Sequence, residues 1–363
     1  MSGRSGEGAD VARARTVTVC AVAAMFLAAG SPAYGYGEVP GTDENAPQGG
    51  AQDRDIFASA GHSQIKVRQV SGPTGGKRGN LAATDVNWKP PACWYEPVFS
   101  PAQLKDFSEN NGDGDVSIRQ AWFGEELWTD HYRDGKPADN WLGEEKTAKG
   151  YEDYNSGEKG YFWRGYAPDI TAEGVDACDR LMFWQDAGQI PDDPNAPTPE
   201  TLADYAYNQV KVPETKIELK PEGKSTVNLA TWIWLDKGTF QEIRVRAELP
   251  NTGLWAETTA KPVSLHLDPG TADAETFPSS GECEIDEDGS IGTPYAKGNV
   301  DKTPPCGITY LRATKPGPPH QLTASVTWQI TWEGAGGTGG GLPDGTFETT
   351  QDVEVQEIQS INR

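Results

Sequence analysis

Oxygen-bearing side chains at alternate positions are the first place where this sequence could do chemistry. In Glu109-Asn-Asn111-Gly-Asp113-Gly-Asp115-Val-Ser117 a ligand-type residue recurs at every second position. Gly114 takes the sixth place and Val116 the eighth, which is the layout of a calcium loop between two helices. Asn111, Asp113 and Asp115 are the candidate ligands. Glu109 stands where an Asp is usual, and Gln120 replaces the bidentate Glu that closes the shell, so such a site would hold calcium weakly. A polar turn between helices is the competing reading. A second run, Glu282-Cys-Glu-Ile-Asp-Glu-Asp288, packs five acids into seven residues. Without a cation it is a loop whose charges repel one another.

Other catalytic chemistry finds little purchase. The four histidines, His62, His131, His266 and His320, form no H-E-x-x-H pair. Asp288 occupies the position where Gly289-Ser290-Ile-Gly292 would need the first glycine of a nucleophile elbow. Glu125 or Glu126 with Glu144 or Glu145 could supply the two carboxylates of a glycosidase, but such a pair is defined by separation in space. Ser71-Gly-Pro-Thr-Gly-Gly-Lys77 ends in Arg78 where a phosphate loop needs Ser or Thr, and Glu222-Gly-Lys-Ser225 lacks the first glycine. No cofactor other than calcium is implied. Twelve tryptophans could offer flat faces to sugars, or could serve as core.

Charge and the N-terminus set the compartment. The net charge of −23 makes nucleic acid and anionic membranes unfavourable partners. Arg4, Arg13 and Arg15 precede an apolar run from Val17 to Ala29 and then Ser31-Pro-Ala-Tyr-Gly-Tyr36, the order of a secretory signal peptide. Cleavage is expected after Ala33 or Gly35, and nothing at Ile361-Asn362-Arg363 suggests an anchor. Removal of Cys20 leaves Cys93, Cys178, Cys283 and Cys306, an even number in an oxidising compartment and without C-x-x-C spacing.

Positioning elements follow from periodicity. Residues 36–85, rich in Gly, Pro, Asp, Asn, Gln and Ser, read as a flexible leader in which only Gln64–Val70 alternates. Residues 86–197 are dense in Trp and Tyr and read as a small, mainly helical domain. Ser100-Pro101 starts one helix, with Leu104 and Phe107 inward, and Ser117 to His131 forms a second. After the Pro191–Pro197 linker, Thr198-Pro199-Glu200 opens a helix carrying Leu202, Tyr205, Ala206 and Val210. The rest of 198–363 alternates. His320–Glu333 keeps period two from Leu322 through Trp332, a strand on the order of 40 Å long. Seven or eight such segments with Gly/Pro turns describe an antiparallel β-sandwich. The last strand, Phe347–Ile358, changes parity at Ile358 and predicts a bulge near Gln356.

Val263-Ser-Leu-His-Leu-Asp-Pro-Gly270 resembles a worn PKD-type strand and turn, usually Trp-Asp-Phe-Gly-Asp-Gly. Cys306-Gly-Ile-Thr-Tyr310 and His320–Trp328 are similar to that family's next two strands. The match reaches at most from Lys211 to Arg363, and Pro269 departs from the turn. An aromatic N-terminal half followed by such a domain is similar to uncharacterised secreted actinobacterial proteins. The resemblance implies an extracellular, immunoglobulin-like, non-catalytic module and names no ligand.

Because the two halves differ in composition, pairing within each half is expected: Cys93 with Cys178, and Cys283 with Cys306. Residues 198–363 would then fold alone. The function expected is non-catalytic binding or scaffolding at the cell envelope or outside it, with an envelope protein or a glycan as partner. A glycan-binding module and a secreted carboxylate-dependent hydrolase are the alternatives. N-terminal sequencing of the exported chain should find its first residue between Tyr34 and Tyr36. An intact Met1 on a cytosolic protein would refute export.

Overall fold

In a computed structural model the chain divides into two units, Met1–Ala33 and Tyr34–Arg363. The described residues are 63–110, 127–137, 149–169, 171–214, 217–235, 240–286 and 290–358, all within the second unit. In chain order the first strands are β1 (Lys66–Ser71), β2 (Arg78–Asn80), β3 (Ala82–Ala83), β4 (Trp94–Phe99), β5 (Gly160–Tyr166) and β6 (Phe183–Asp186). Then come β7 (Lys211–Pro213), β8 (Glu218–Lys220), β9 (Lys224–Thr226), β10 (Ala230–Trp234), β11 (Ile243–Leu249) and β12 (Leu254–Asp268). The last are β13 (Ala274–Phe277), β14 (Glu282–Glu284), β15 (Gly307–Tyr310), β16 (His320–Gly334) and β17 (Thr338–Gln356). Among the described residues there are two α-helices, α1 (Pro101–Asn110) and α2 (Pro199–Gln209), besides short 3₁₀ turns and a π-helical stretch, Leu127–Arg133. The protein is mainly β, and the strand pairs among the described residues are antiparallel apart from β9 against β17.

The main sheet runs β1-β11-β12-β16-β17-β3, with β14 added to β12 and β9 to β17. β16 alternates as its sequence demands: Leu322, Ala324, Val326, Trp328 and Ile330 are buried, and the residues between them are not. β12 pairs with β16 along nearly its whole length, with a register shift between Pro262 and Ser264. Before that shift Ala256, Thr258 and Ala260 present small side chains to the core. There α2 comes down on the sheet, and Thr258 Oγ1 donates to the Ala203 carbonyl at 2.9 Å. Past the shift Leu265 and Leu267 share one core cluster with Ile233, Ile308 and Tyr310 of a second sheet, ordered β13-β15-β10-β8.

Both helices begin as their sequences require. Thr198 caps α2, its side chain accepting from the Thr201 amide while Thr201 answers the Thr198 amide, and Pro199 follows in the first turn. Leu202, Tyr205, Ala206 and Val210 are all buried. At α1, Gln103 accepts from the Ser100 amide at 2.9 Å, and Leu104 and Phe107 are buried.

Three expectations need correction. From Ser63 onward the supposed leader is built into the fold, since β1 forms the edge of the main sheet and β2 pairs with β7. The aromatic half is not mainly helical among its described residues. Its centre is a three-stranded sheet, β4-β5-β6, because aromatic residues suit a pleated, half-buried surface. Lastly, β17 stops at Gln356 and leaves Ile358 exposed, so the parity change marks a strand end. The irregularity in that hairpin lies between Trp328 and Ile330 instead. The helix expected over Ser117–His131 falls mostly outside the described residues.

The two expected cystine bridges are present, Cys93–Cys178 and Cys283–Cys306. The reason given for that pairing does not hold, however. Cys93, Trp94, Trp163 and Phe183 belong to the same buried cluster as Leu202, Val245 and Trp328. The line at residue 198 is therefore not a boundary of packing. Calorimetry of the oxidised protein should show one main transition. Leu202→Ala, removing a side chain beneath both halves, should lower stability by about 2–5 kcal/mol. Two well-separated transitions, only one of them moved by the substitution, would restore independent halves.

Candidate functional site

β4 carries an acid inside an aromatic run, Trp94-Tyr-Glu-Pro-Val-Phe99. Period two places Trp94 and Glu96 on the same face. The antiparallel register sets Glu96 opposite Arg164 and Trp94 opposite Tyr166 on β5. Glu96 and Arg164 are both buried. The Glu96 carboxylate accepts from Ser63 Oγ at 2.6 Å, the Gln64 amide at 2.6 Å and Trp94 Nε1 at 2.7 Å. Burial raises the pKa of Glu96, against the pull of those donors and of the Arg164 charge. Burial likewise brings Arg164 down to about 10, with Glu96 opposing. A buried carboxylate is costly unless hydrogen bonds satisfy it, and Glu96 accepts three.

Above the pair lies a group of rings. Trp94 meets Tyr166 at 5.1 Å between centroids with 55° between planes, and meets Tyr205 of α2 at 5.7 Å and 77°. The hydroxyls of Tyr166 and Tyr205 hydrogen-bond, and burial is the main reason both phenols titrate above their ordinary value. These three rings line a pocket of about 80 Å³ together with Pro90, Pro91 and Pro168. Thr201, Asn208 and Gln209 of α2 complete the lining. None of the lining residues is charged. The pocket thus opens where the aromatic half meets α2, and the Cys93–Cys178 bridge anchors the start of β4 beside it.

Asn111, Asp113 and Asp115 lie outside the described residues, as do Glu125, Glu126, Glu144 and Glu145. Among the described residues no three His, Cys, Asp or Glu gather as a metal site. Glu282 and Glu284 of the second acidic run project from β14, and Glu282 meets His266 across the strand pair at 2.8 Å. His131 is buried with Nδ1 2.9 Å from the Lys136 carbonyl oxygen, and burial lowers its pKa. His320 stacks on Tyr310. Neither glycine-rich segment leads into a helix: one precedes β2 and the other enters β9. Trp94, Trp163, Trp232 and Trp328 are buried, so these four serve as core. Sequence reasoning missed Glu96 and Arg164. The signal available was a lone acid at an inward parity within an aromatic strand.

No protein-family model matches the chain, and no curated protein or solved structure matches it. The two disulfides point to an oxidising, extracytoplasmic environment. Among the described residues no helix is long and apolar enough to cross a membrane.

A second buried carboxylate sits on α2 next to the pocket lining. Asp204 is buried with Oδ1 unpartnered, and its pKa is pushed up to about 7 by burial and then by Glu200 one turn earlier. The ordinary value is 3.8. Between those two values the folded chain binds more protons than the unfolded one, so stability falls as pH rises through the window. Asp204→Asn should flatten this slope and raise the melting temperature at pH 8 by several degrees, an effect on the order of a few kcal/mol. Parallel melting curves for the two proteins from pH 4 to 8 would remove Asp204 as its source.

Proposed function

We propose that this chain is exported and works as a non-catalytic binding protein of the cell envelope or extracellular space. Its two larger sheets would form a PKD-like, immunoglobulin-type module behind the aromatic half. One observation carries the reading. The polar side chains drawn together around β4, Glu96 and Arg164, are buried and directed to holding the chain, while the adjoining pocket is lined by rings, prolines, a hydroxyl and amides. That lining suits recognition, because it offers shape, aromatic surface and hydrogen bonds but no carboxylate, imidazole, amine or thiol. The net charge of −23 disfavours nucleic acid and anionic membranes, and an envelope protein or a glycan is the partner we propose.

The oxidised chain should co-sediment saturably with isolated cell-envelope material and leave that material chemically unchanged. Release of reducing sugar or peptide from the envelope, proportional to protein and time, would make it an enzyme and overturn the reading.

A further inference from the structure

The long strand β17 is unevenly protected along its outer side. Its inner side pairs with β16 from Thr338 to Val353. On the outer side β3 takes Gly345 and Thr346, and β9 takes Glu354 to Gln356. Thr84 also donates its amide to the Asp344 carbonyl at 2.8 Å. Among the described residues no strand pairs with the outer side of Thr338–Leu342, and Thr338, Gly339, Gly340 and Gly341 are exposed. An open edge carries backbone donors and acceptors that can take up another strand, and proteins guard it with charge, brevity or a cover. Elsewhere the main sheet is guarded in this way. β1 exposes Lys66 and Arg68, β14 is three residues long with Glu282 and Glu284 exposed, and β17 itself exposes Glu348 and Asp352 between β3 and β9. Thr338–Leu342 has none of these devices. From Gly334 to Pro343 no residue is charged, in a chain of net charge −23.

The stretch is firmly held from behind, where β16 pairs with β12 from Ile330 opposite Ala260 to Gly334 opposite Ala256. That packing explains only some of its glycines. A Cβ at Gly339 would come within 2.8 Å of the Trp332 carbonyl oxygen, so this position must stay small. A Cβ at Gly341 would meet nothing nearer than the Ile330 carbonyl oxygen at 3.8 Å. Glycine inside a strand, where the fold itself does not require it, marks the close approach of another backbone. We propose that Thr338–Leu342 is a dimerisation edge, at which a second copy of this chain pairs antiparallel about Gly340. A two-fold axis at Gly340 sets Thr338 against Leu342 of the partner subunit, and bare backbone matches itself without a fitted surface. Each copy carries β3 beyond Leu342 and turns back at Gly336 and Gly337 beyond Thr338. Antiparallel pairing lays each β3 past the other's turn, so neither blocks the contact. Charge permits it too. The two Asp344 side chains stand about 26 Å apart along the strands, and the two Glu333 at least about 14 Å apart across them, both beyond a Debye length of about 8 Å. No side chain along Gly339–Gly341 selects a foreign peptide, whereas a second copy brings an edge of equal length and equal neutrality. So short a contact falls far below the roughly 20–30 residues a side of a standard interface, and the dimer is weak.

Sedimentation equilibrium of the intact oxidised chain from about 10 μM to about 1 mM tests this. The average mass should climb from one copy towards two. Gly341→Lys adds a side chain where the fold leaves room and sets a charge on the edge, and it should stay monomeric throughout. Hydrogen exchange on the unaltered chain gives a second reading that needs no variant. Amides of Thr338–Leu342 should exchange at least about twofold more slowly at the highest concentration than at the lowest. A single-copy mass at about 1 mM would overturn the proposal and leave this edge to an extended segment of another protein. A dimer that survives Gly341→Lys, or exchange here that ignores concentration, would overturn it as well. The binding-protein reading is measured with envelope material and stands or falls separately.

Discussion

β12 and β16 are each 15 residues long and lie against one another for nearly that whole length. Their buried face, from Ala256 to Leu267 on β12, runs about 40 Å at the usual rise, more than one short helix or one short sheet can cover. Two different covers are therefore required, and the side chains divide accordingly. Where α2 lies, β12 offers Ala256, Thr258 and Ala260, small enough for a helix backbone to approach closely. Where the second sheet lies, it offers Leu265 and Leu267, which reach further. The register shift between Pro262 and Ser264 falls between the two regimes. α2 packs chiefly on β12, β11 and β16, and its Tyr205 also meets Trp94 of the aromatic half, so the larger core spans both halves, while Phe99, Leu104, Phe107 and Phe162 belong to a second, smaller cluster.

Much of this was legible in advance, and the reason is periodicity. The alternation of β16 from Leu322 to Ile330 is reproduced in burial, and so is the inward set of α2. Both are local patterns with one buried face. What stayed hidden depends on pairing at a distance. β1 looked like a fragment of a polar leader because Gln64–Val70 is short, yet its partner β11 lies far along the chain. The composition of the aromatic half suggested a small, mainly helical domain. Trp94–Phe99 and Tyr161–Tyr166 contain too many apolar residues on both parities to show alternation, so the strands were unreadable until paired.

The candidate site was hidden for the same reason. Tyr205 was expected on the inward face of its helix, and its partners Trp94 and Tyr166 stand on two other elements. No spacing in the sequence relates the three. Glu96 offers a sharper lesson: a carboxylate on an inward parity is either a mistake in reading the strand or the centre of a polar contact. Here it is the latter, with Ser63, Gln64, Trp94 and Arg164 converging on it. The energetic argument for burying such a group rests on the completeness of its hydrogen bonds.

The grip of Glu96 on Ser63 and Gln64 also guards the entry to β1 against cutting. A protease needs chain that can leave its partners and enter the protease's own cleft. Ser63 and Gln64 are held at 2.6 Å by a buried acid, and the next residues enter the sheet, with Ile65 and Val67 buried. Loss of β1 would strip it from β11 and uncover a seven-residue strand edge, an open template for pairing with other chains. The same contact that secures the fold thus keeps that edge covered.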